Sequence, residues 1–167
     1  MPDFLRWAYP LFFSIIIVFA IIELSISAWL VAKYNAHHNF THRSLRTRVR
    51  YTLFVSIWTV LFGTISLIIF LMGPVVSILT SVATHAIFIF MTWVLWVAAA
   101  AAVTQSVGGN LHCSTQTEFV YCGHLNALIA FAWMIWIFLS FLLVAIIVRG
   151  VIVVRKGDGY SGGLVDE

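Results

Sequence analysis

Charge is what this sequence has least of. Only 9% of its 167 residues are Asp, Glu, Lys or Arg, whereas soluble domains carry ~25%. A water-soluble fold of this length could not cover its surface with so few charges. Cysteine is almost absent: Cys113 and Cys122 are the two in the chain, and they are too far apart for the C-x-x-C motif of a thiol oxidoreductase. The net charge is only +3, and no basic stripe with interleaved aromatics is present, which argues against a nucleic-acid partner.

What the chain has in abundance is apolar side chains. They make up 62% of the residues, with 14 Phe and 7 Trp, and the mean hydropathy is +1.05. A helix that crosses a bilayer needs roughly 20 apolar residues, because every backbone polar group must be satisfied inside the segment. Four runs meet this requirement, at about residues 10–32, 51–72, 79–103 and 125–148. The expected fold is an all-α membrane protein, a four-transmembrane-helix bundle. One membrane domain covers residues 1–150 and a short tail covers residues 151–167. The first run is too long for a signal-peptide core and has no small-x-small cleavage site before Lys33, so it is read as a span. Pro10 suits its first turn. Gly73-Pro74 predicts a tight turn between spans two and three, and the glycines after residue 156 break regular structure in the tail. The aromatics suit lipid-facing surfaces and interfacial belts.

Four spans place both termini on one side and loops one and three on the other. Arg6, Arg149, Arg155 and Lys156 on the terminal side face Lys33, Arg43, Arg46, Arg48 and Arg50 on the loop side, so the positive-inside rule does not decide. Two other signals do. Cys113 and Cys122 lie in one extramembrane loop and can close a disulfide, which persists only in an oxidising compartment. Asn39-Phe40-Thr41 is a glycosylation sequon in loop one. Both predict cytosolic termini and loops one and three facing the extracellular or lumenal side.

Several side chains are candidates for function. Glu23 lies near the middle of span one, where an acid costs roughly 2.5–3.5 kcal/mol on insertion scales. It is a proton or ligand site, an inter-subunit contact, or a protonated or hydrogen-bonded group facing the bundle interior. His85, the ionisable group of span three, is its natural partner if their depths match, and the expected offset between them is roughly 5–10 Å. Trp93 and Trp96 precede the run Ala98, Ala99, Ala100, Ala101 and Ala102. Small residues let helices approach closely in lipid, which fits a lipid crevice, a self-association face or ordinary packing. Arg43, Arg46, Arg48 and Arg50 have near-helical spacing for contact with lipid headgroups, and Arg149, Arg155 and Lys156 suit anionic lipid on the other side. His37, His38, His42, His112 and His124 suggest a metal site, with His38 and His42 at i,i+4 spacing. No carboxylate in loop one completes the set, and no metal is expected.

The segment from Phe88 through Trp93 and Trp96 into the alanine run, followed by Gly108-Gly-Asn-Leu-His-Cys and Tyr121-Cys-Gly, resembles the MARVEL tetraspan family. The likeness is to its fungal branch of plasma-membrane tetraspans linked to non-classical export and eisosome domains. The resemblance implies a non-enzymatic protein that organises membrane domains or vesicle traffic and associates with sterol-rich membrane, with bound lipid or sterol rather than a cofactor. The expected partners are membrane lipids, further copies of the chain and other membrane proteins. Two other classes compete. A channel or transporter would use Glu23 in an oligomer. A membrane oxidoreductase would need facing axial histidines within the bilayer, and only His85 lies there.

Overall fold

A computed structural model describes residues 2–37, 43–71, 82–109, 113 and 119–155. The described residues form four helices and no strand: α1 (Pro2–His37), α2 (Arg43–Leu71), α3 (Val82–Val107) and α4 (Cys122–Arg155). Each contains a stretch long and apolar enough to cross a membrane: Tyr9–His37, Arg43–Ile69, His85–Val107 and Cys122–Val148. The chain is therefore an integral membrane four-helix protein.

The helices outrun the apolar windows that announce them. The 36 residues of α1 extend ~54 Å at ~1.5 Å per residue, well beyond the ~30 Å hydrocarbon core. Loop one, expected over residues 33–50, is mostly helix: α1 runs on to His37 and α2 resumes at Arg43. Hydropathy marks where the lipid is, whereas the backbone keeps its i to i−4 bonds until a stop signal intervenes. Pro10 for the same reason lies inside α1 rather than in its first turn. Such a proline loses one N–H, and a spanning helix can accommodate it. The Gly73-Pro74 turn, the start of span three before residue 82 and the tail beyond Arg155 fall outside the described residues.

The end of α3 does have a stop signal. Gly108 and Gly109 adopt φ of 74° and 106°, values that side-chain-bearing residues rarely take. Gly109 N–H donates to the Thr104 carbonyl at 3.0 Å and Gly108 N–H to that of Gln105 at 3.4 Å. This is the Schellman arrangement, which satisfies carbonyls that a helix end leaves open.

Neighbouring helices follow a square: α1 beside α2, α2 beside α3, α3 beside α4 and α4 beside α1. Each neighbouring pair is antiparallel. Gly63 of α2 packs on Ile17 and Phe13 of α1, while Asn35 at the other end of α1 meets Arg46 and Arg50. Two apolar clusters fill the interior. The first, toward the chain termini, includes Phe13, Ile16, Ala20, Trp96, Ala132 and Ile135. The second, toward loops one and three, includes Leu30, Tyr34, Leu45, Val49, Val103 and Leu125. Leu11, Phe54, Phe90, Phe141 and Val144 are exposed on the outside of the bundle, where lipid would meet them.

Four of the tryptophans bond across helices, while Trp29 is exposed near the loop end of α1. Trp96 N–H donates to Thr59 Oγ1 at 2.9 Å and Trp58 N–H to Thr92 Oγ1 at 3.4 Å, joining α2 and α3 reciprocally. Trp93 donates to Ser140 Oγ at 2.8 Å and Trp133 to Thr104 Oγ1 at 3.2 Å, joining α3 and α4 in the same way. In each case the accepting hydroxyl donates its own proton to the carbonyl four residues earlier in its helix. Helix carbonyl, hydroxyl and indole thus form a three-member chain at four places.

Interhelical side-chain bonds of this kind average about 0.6 kcal/mol within membranes, with a maximum of about 1.7. Thr59→Val and Trp96→Phe should each lower stability, and the double variant should lose less than their sum. The expected coupling is about 0.6–1.7 kcal/mol in a double-mutant cycle on unfolding in micelles. Strict additivity would show that the bond carries no energy.

Candidate functional site

Between the two apolar clusters lies a polar waist. On α1, Ala20 belongs to the first cluster and Leu30 to the second; the inward residues between them are Glu23 and Ser27, both 0% exposed. On α2, Val49 belongs to the second cluster and Val55 to the first, and Thr52 lies between them with Ser56 alongside, both also fully buried. The facing parts of α3 and α4 are small: Ala99, Ala100 and Ala132 are buried at the edge of the first cluster. The waist therefore has oxygen on α1 and α2 and little side-chain bulk on α3 and α4.

Glu23 is the exception to the rule of satisfied polar groups. Neither carboxyl oxygen has a hydrogen-bond partner among the described residues. The hydroxyls at its depth cannot supply one. Ser27 Oγ donates to the Glu23 and Leu24 carbonyls at 2.7 and 3.1 Å. Thr52 Oγ1 donates to the Arg48 carbonyl at 3.1 Å, and Ser56 Oγ to that of Thr52 at 2.9 Å. A hydroxyl has one proton, so each of the three presents only lone pairs to the waist.

His85 is not the partner of Glu23. Its Nδ1 is 2.9 Å from the Tyr9 hydroxyl, across the diagonal of the square, and its Nε2 has no hydrogen-bond partner among the described residues. Helices α1 and α3 run parallel, so advancing fourteen residues from Tyr9 and from His85 reaches Glu23 and Ala99. Glu23 and His85 are thus separated by ~21 Å along the bundle at ~1.5 Å per residue, well beyond the 5–10 Å expected. Sequence alone fixes neither where a helix begins nor how parallel helices are staggered.

The alanine run does not form one smooth face. Ala99 and Ala100 are buried, Ala98 and Ala101 point outward, and Ala102 is half-buried. Five consecutive residues span more than one turn, so they must point around the helix. Trp96 is buried and Trp93 is half-buried, its ring 5.7 Å from that of Trp136.

The arginines at the loop end divide by role. Arg48 Nη1 donates to the Ala102 carbonyl at 2.6 Å and to Ser106 Oγ at 2.8 Å. It places its charge at the C-terminal, negative end of the α3 dipole rather than among headgroups. Arg46 and Arg50 both donate to Asn35 Oδ1, and Arg43 is exposed. Beside them, His124 stacks on Trp29 at 4.2 Å between ring centres and Lys33 Nζ lies 5.7 Å from that ring. Cys113 and Cys122 are joined in a disulfide with Cα atoms 5.7 Å apart, which ties the third connection to the first turn of α4.

No three His, Cys, Asp or Glu side chains among the described residues stand close enough to hold a metal ion. His37 is exposed at the end of α1. His38, His42, His112, Asn39 and Lys156 lie outside the described residues, as do the side chains of Arg149 and Arg155. Sequence reasoning missed the indole–hydroxyl pairs, the Tyr9–His85 contact and the Arg48 cap. The adjacent Trp58-Thr59 and Thr92-Trp93 were a usable signal, because two antiparallel helices that each carry such a pair can exchange bonds both ways.

Charge-assisted hydrogen bonds contribute about 1.5–3 kcal/mol. Arg48→Met should therefore lower stability by about that much, and Arg43→Met, at an exposed position, by no more than about 0.5 kcal/mol. Denaturant unfolding in micelles separates the two; equal effects would remove Arg48 from the helix-capping role.

No protein family, curated protein or solved structure matches the chain.

Proposed function

We propose that the chain is a non-enzymatic tetraspan that organises membrane domains or traffic, binds lipids and self-associates. The observation that carries this reading is the direction in which its polar chemistry points. Indoles and hydroxyls of the spans bond to one another or to their own helices, and aliphatic and aromatic side chains face outward. Such a surface is suited to contact with lipid and with other spans, where packing drives association. The cationic end formed by Lys33, Arg43, Arg46 and Arg50 suits contact with lipid headgroups at the interface. The resemblance to MARVEL tetraspans supports the same reading.

The termini are assigned to the cytosol and loops one and three to the extracellular or lumenal side of the plasma membrane or secretory pathway. The support is the Cys113–Cys122 disulfide, a bond that persists in oxidising compartments. A second reading, an oligomeric channel or transporter, draws on one observation: the buried, unpartnered carboxyl of Glu23.

Native mass spectrometry of protein released from nanodiscs tests the two against each other. The tetraspan reading expects oligomers that retain anionic lipid or sterol. Monomers without lipid, together with an ion flux in liposomes that Glu23→Gln abolishes, would overturn it in favour of the channel.

A further inference from the structure

We propose that the waist at Glu23 is a binding site for a small monovalent cation, with Na⁺ as the probe ion, held by the Glu23 carboxylate and the Thr52 and Ser56 hydroxyl oxygens.

Three fully buried hydroxyls, those of Ser27, Thr52 and Ser56, each donate to a backbone carbonyl. Elsewhere in the bundle interior, hydroxyls committed in this way receive an N–H: Thr59 from Trp96, Thr92 from Trp58, Ser140 from Trp93, Thr104 from Trp133 and Ser106 from Arg48, whereas the exposed Ser14, Ser25, Thr47 and Thr64 receive none from a described residue. The three at the waist receive no donor from any described residue. Glu23 adds two carboxyl oxygens, also without a donor. With Glu23 ionised, the waist is therefore rich in acceptors and has no donor among the described residues, and a positive species satisfies such a site.

Among the described residues, no cation reaches it. No ion pair links Glu23 to any described residue, and the nearest arginines along α2 are committed elsewhere, Arg50 to Asn35 on α1 and Arg48 to Ala102 and Ser106 on α3. His85 is bonded to Tyr9 far along the bundle. The indoles of Trp58, Trp93, Trp96 and Trp133 are committed to other hydroxyls, and Trp136, whose Nε1 has no hydrogen-bond partner among the described residues, belongs with the α3–α4 tryptophans alongside Trp93 and Trp133.

Charge selects the ion's valence. One carboxylate and one monovalent cation make a neutral site, whereas a divalent ion would leave net charge buried in hydrocarbon at a cost of several kcal/mol. Hard cations take carboxylate and hydroxyl oxygens at ~2.3–2.6 Å. Two oxygens on opposite sides of such an ion lie ~5 Å apart, so its ligands need not be within hydrogen-bond distance of one another. Ala99, Ala100 and Ala132 contribute little side-chain bulk to the buried faces of α3 and α4. The site is independent of whether the chain organises membrane or self-associates.

The test is thermal unfolding of the purified full chain in micelles, in sodium chloride and in choline chloride at equal ionic strength and one fixed pH. Ligand that binds only the folded state raises the folding constant about a hundredfold when present at about a hundred times its Kd, so sodium should raise the midpoint. Thr52→Val and Ser56→Ala keep the carboxyl and should weaken the sodium effect; Glu23→Gln should abolish it. Identical midpoints in the two salts would overturn the proposal. So would a full sodium effect in Glu23→Gln, or one undiminished in both hydroxyl variants. If Glu23→Gln does not fold, the two hydroxyl variants decide.

Discussion

Hydrocarbon offers no hydrogen bonds, so each polar atom in the spans must find its partner within the protein. The bundle meets this constraint with one repeated device. A Ser or Thr gives its proton to its own helix, four residues back, and takes an indole proton from the next helix. The device joins α2 to α3 and α3 to α4, with one indole contributed from each side of each pair. Helix α3 takes part in all four bonds. The contact of α1 with the rest is of a different kind: close apolar packing at Gly63, aromatic contacts of Phe12 and Phe19 with α4, and the diagonal reach of Tyr9 to His85.

The same rule gives the waist its meaning. Where indoles meet the hydroxyls, donors and acceptors balance. At Ser27, Thr52 and Ser56 the indoles are replaced by an acid, and acceptors are in excess. A buried ionisable group within a membrane is costly and is a functional hypothesis on that ground alone. Here the neighbours sharpen it, because their protons are already committed. The division of the core into two apolar clusters, with small alanines on the buried faces of α3 and α4, leaves the waist as a distinct layer of the bundle.

Much of the architecture was legible in the sequence for simple reasons. Apolar runs report burial in lipid directly, so four spans could be counted and their centres placed. The cysteine pair could be read from its position in a single loop. Helix ends could not, because α1 and α4 continue through the headgroup region where hydropathy no longer reports on structure. The pairing of Glu23 with His85 failed for a related reason: the stagger between parallel helices depends on which side chains pack, and Tyr9 takes His85 first. Arg48 looked like its neighbours in spacing, yet only its position beside the α3 C-terminus turns it inward. Glu23 was conspicuous as a lone acid in an apolar run. That its neighbours offer only lone pairs could not be read without knowing which hydroxyls face inward.

The indoles of Trp58, Trp93, Trp96 and Trp133 are hydrogen-bonded across helices, while that of the half-buried Trp136 has no hydrogen-bond partner among the described residues. Indole proton NMR of the protein labelled with ¹⁵N-tryptophan in micelles measures this directly. The four bonded indole protons should resonate downfield of that of Trp136 and exchange with water more slowly than that of Trp29, which is partly exposed near the loop end of α1. Four resonances that coincide with Trp136 in shift and with Trp29 in exchange would contradict the account.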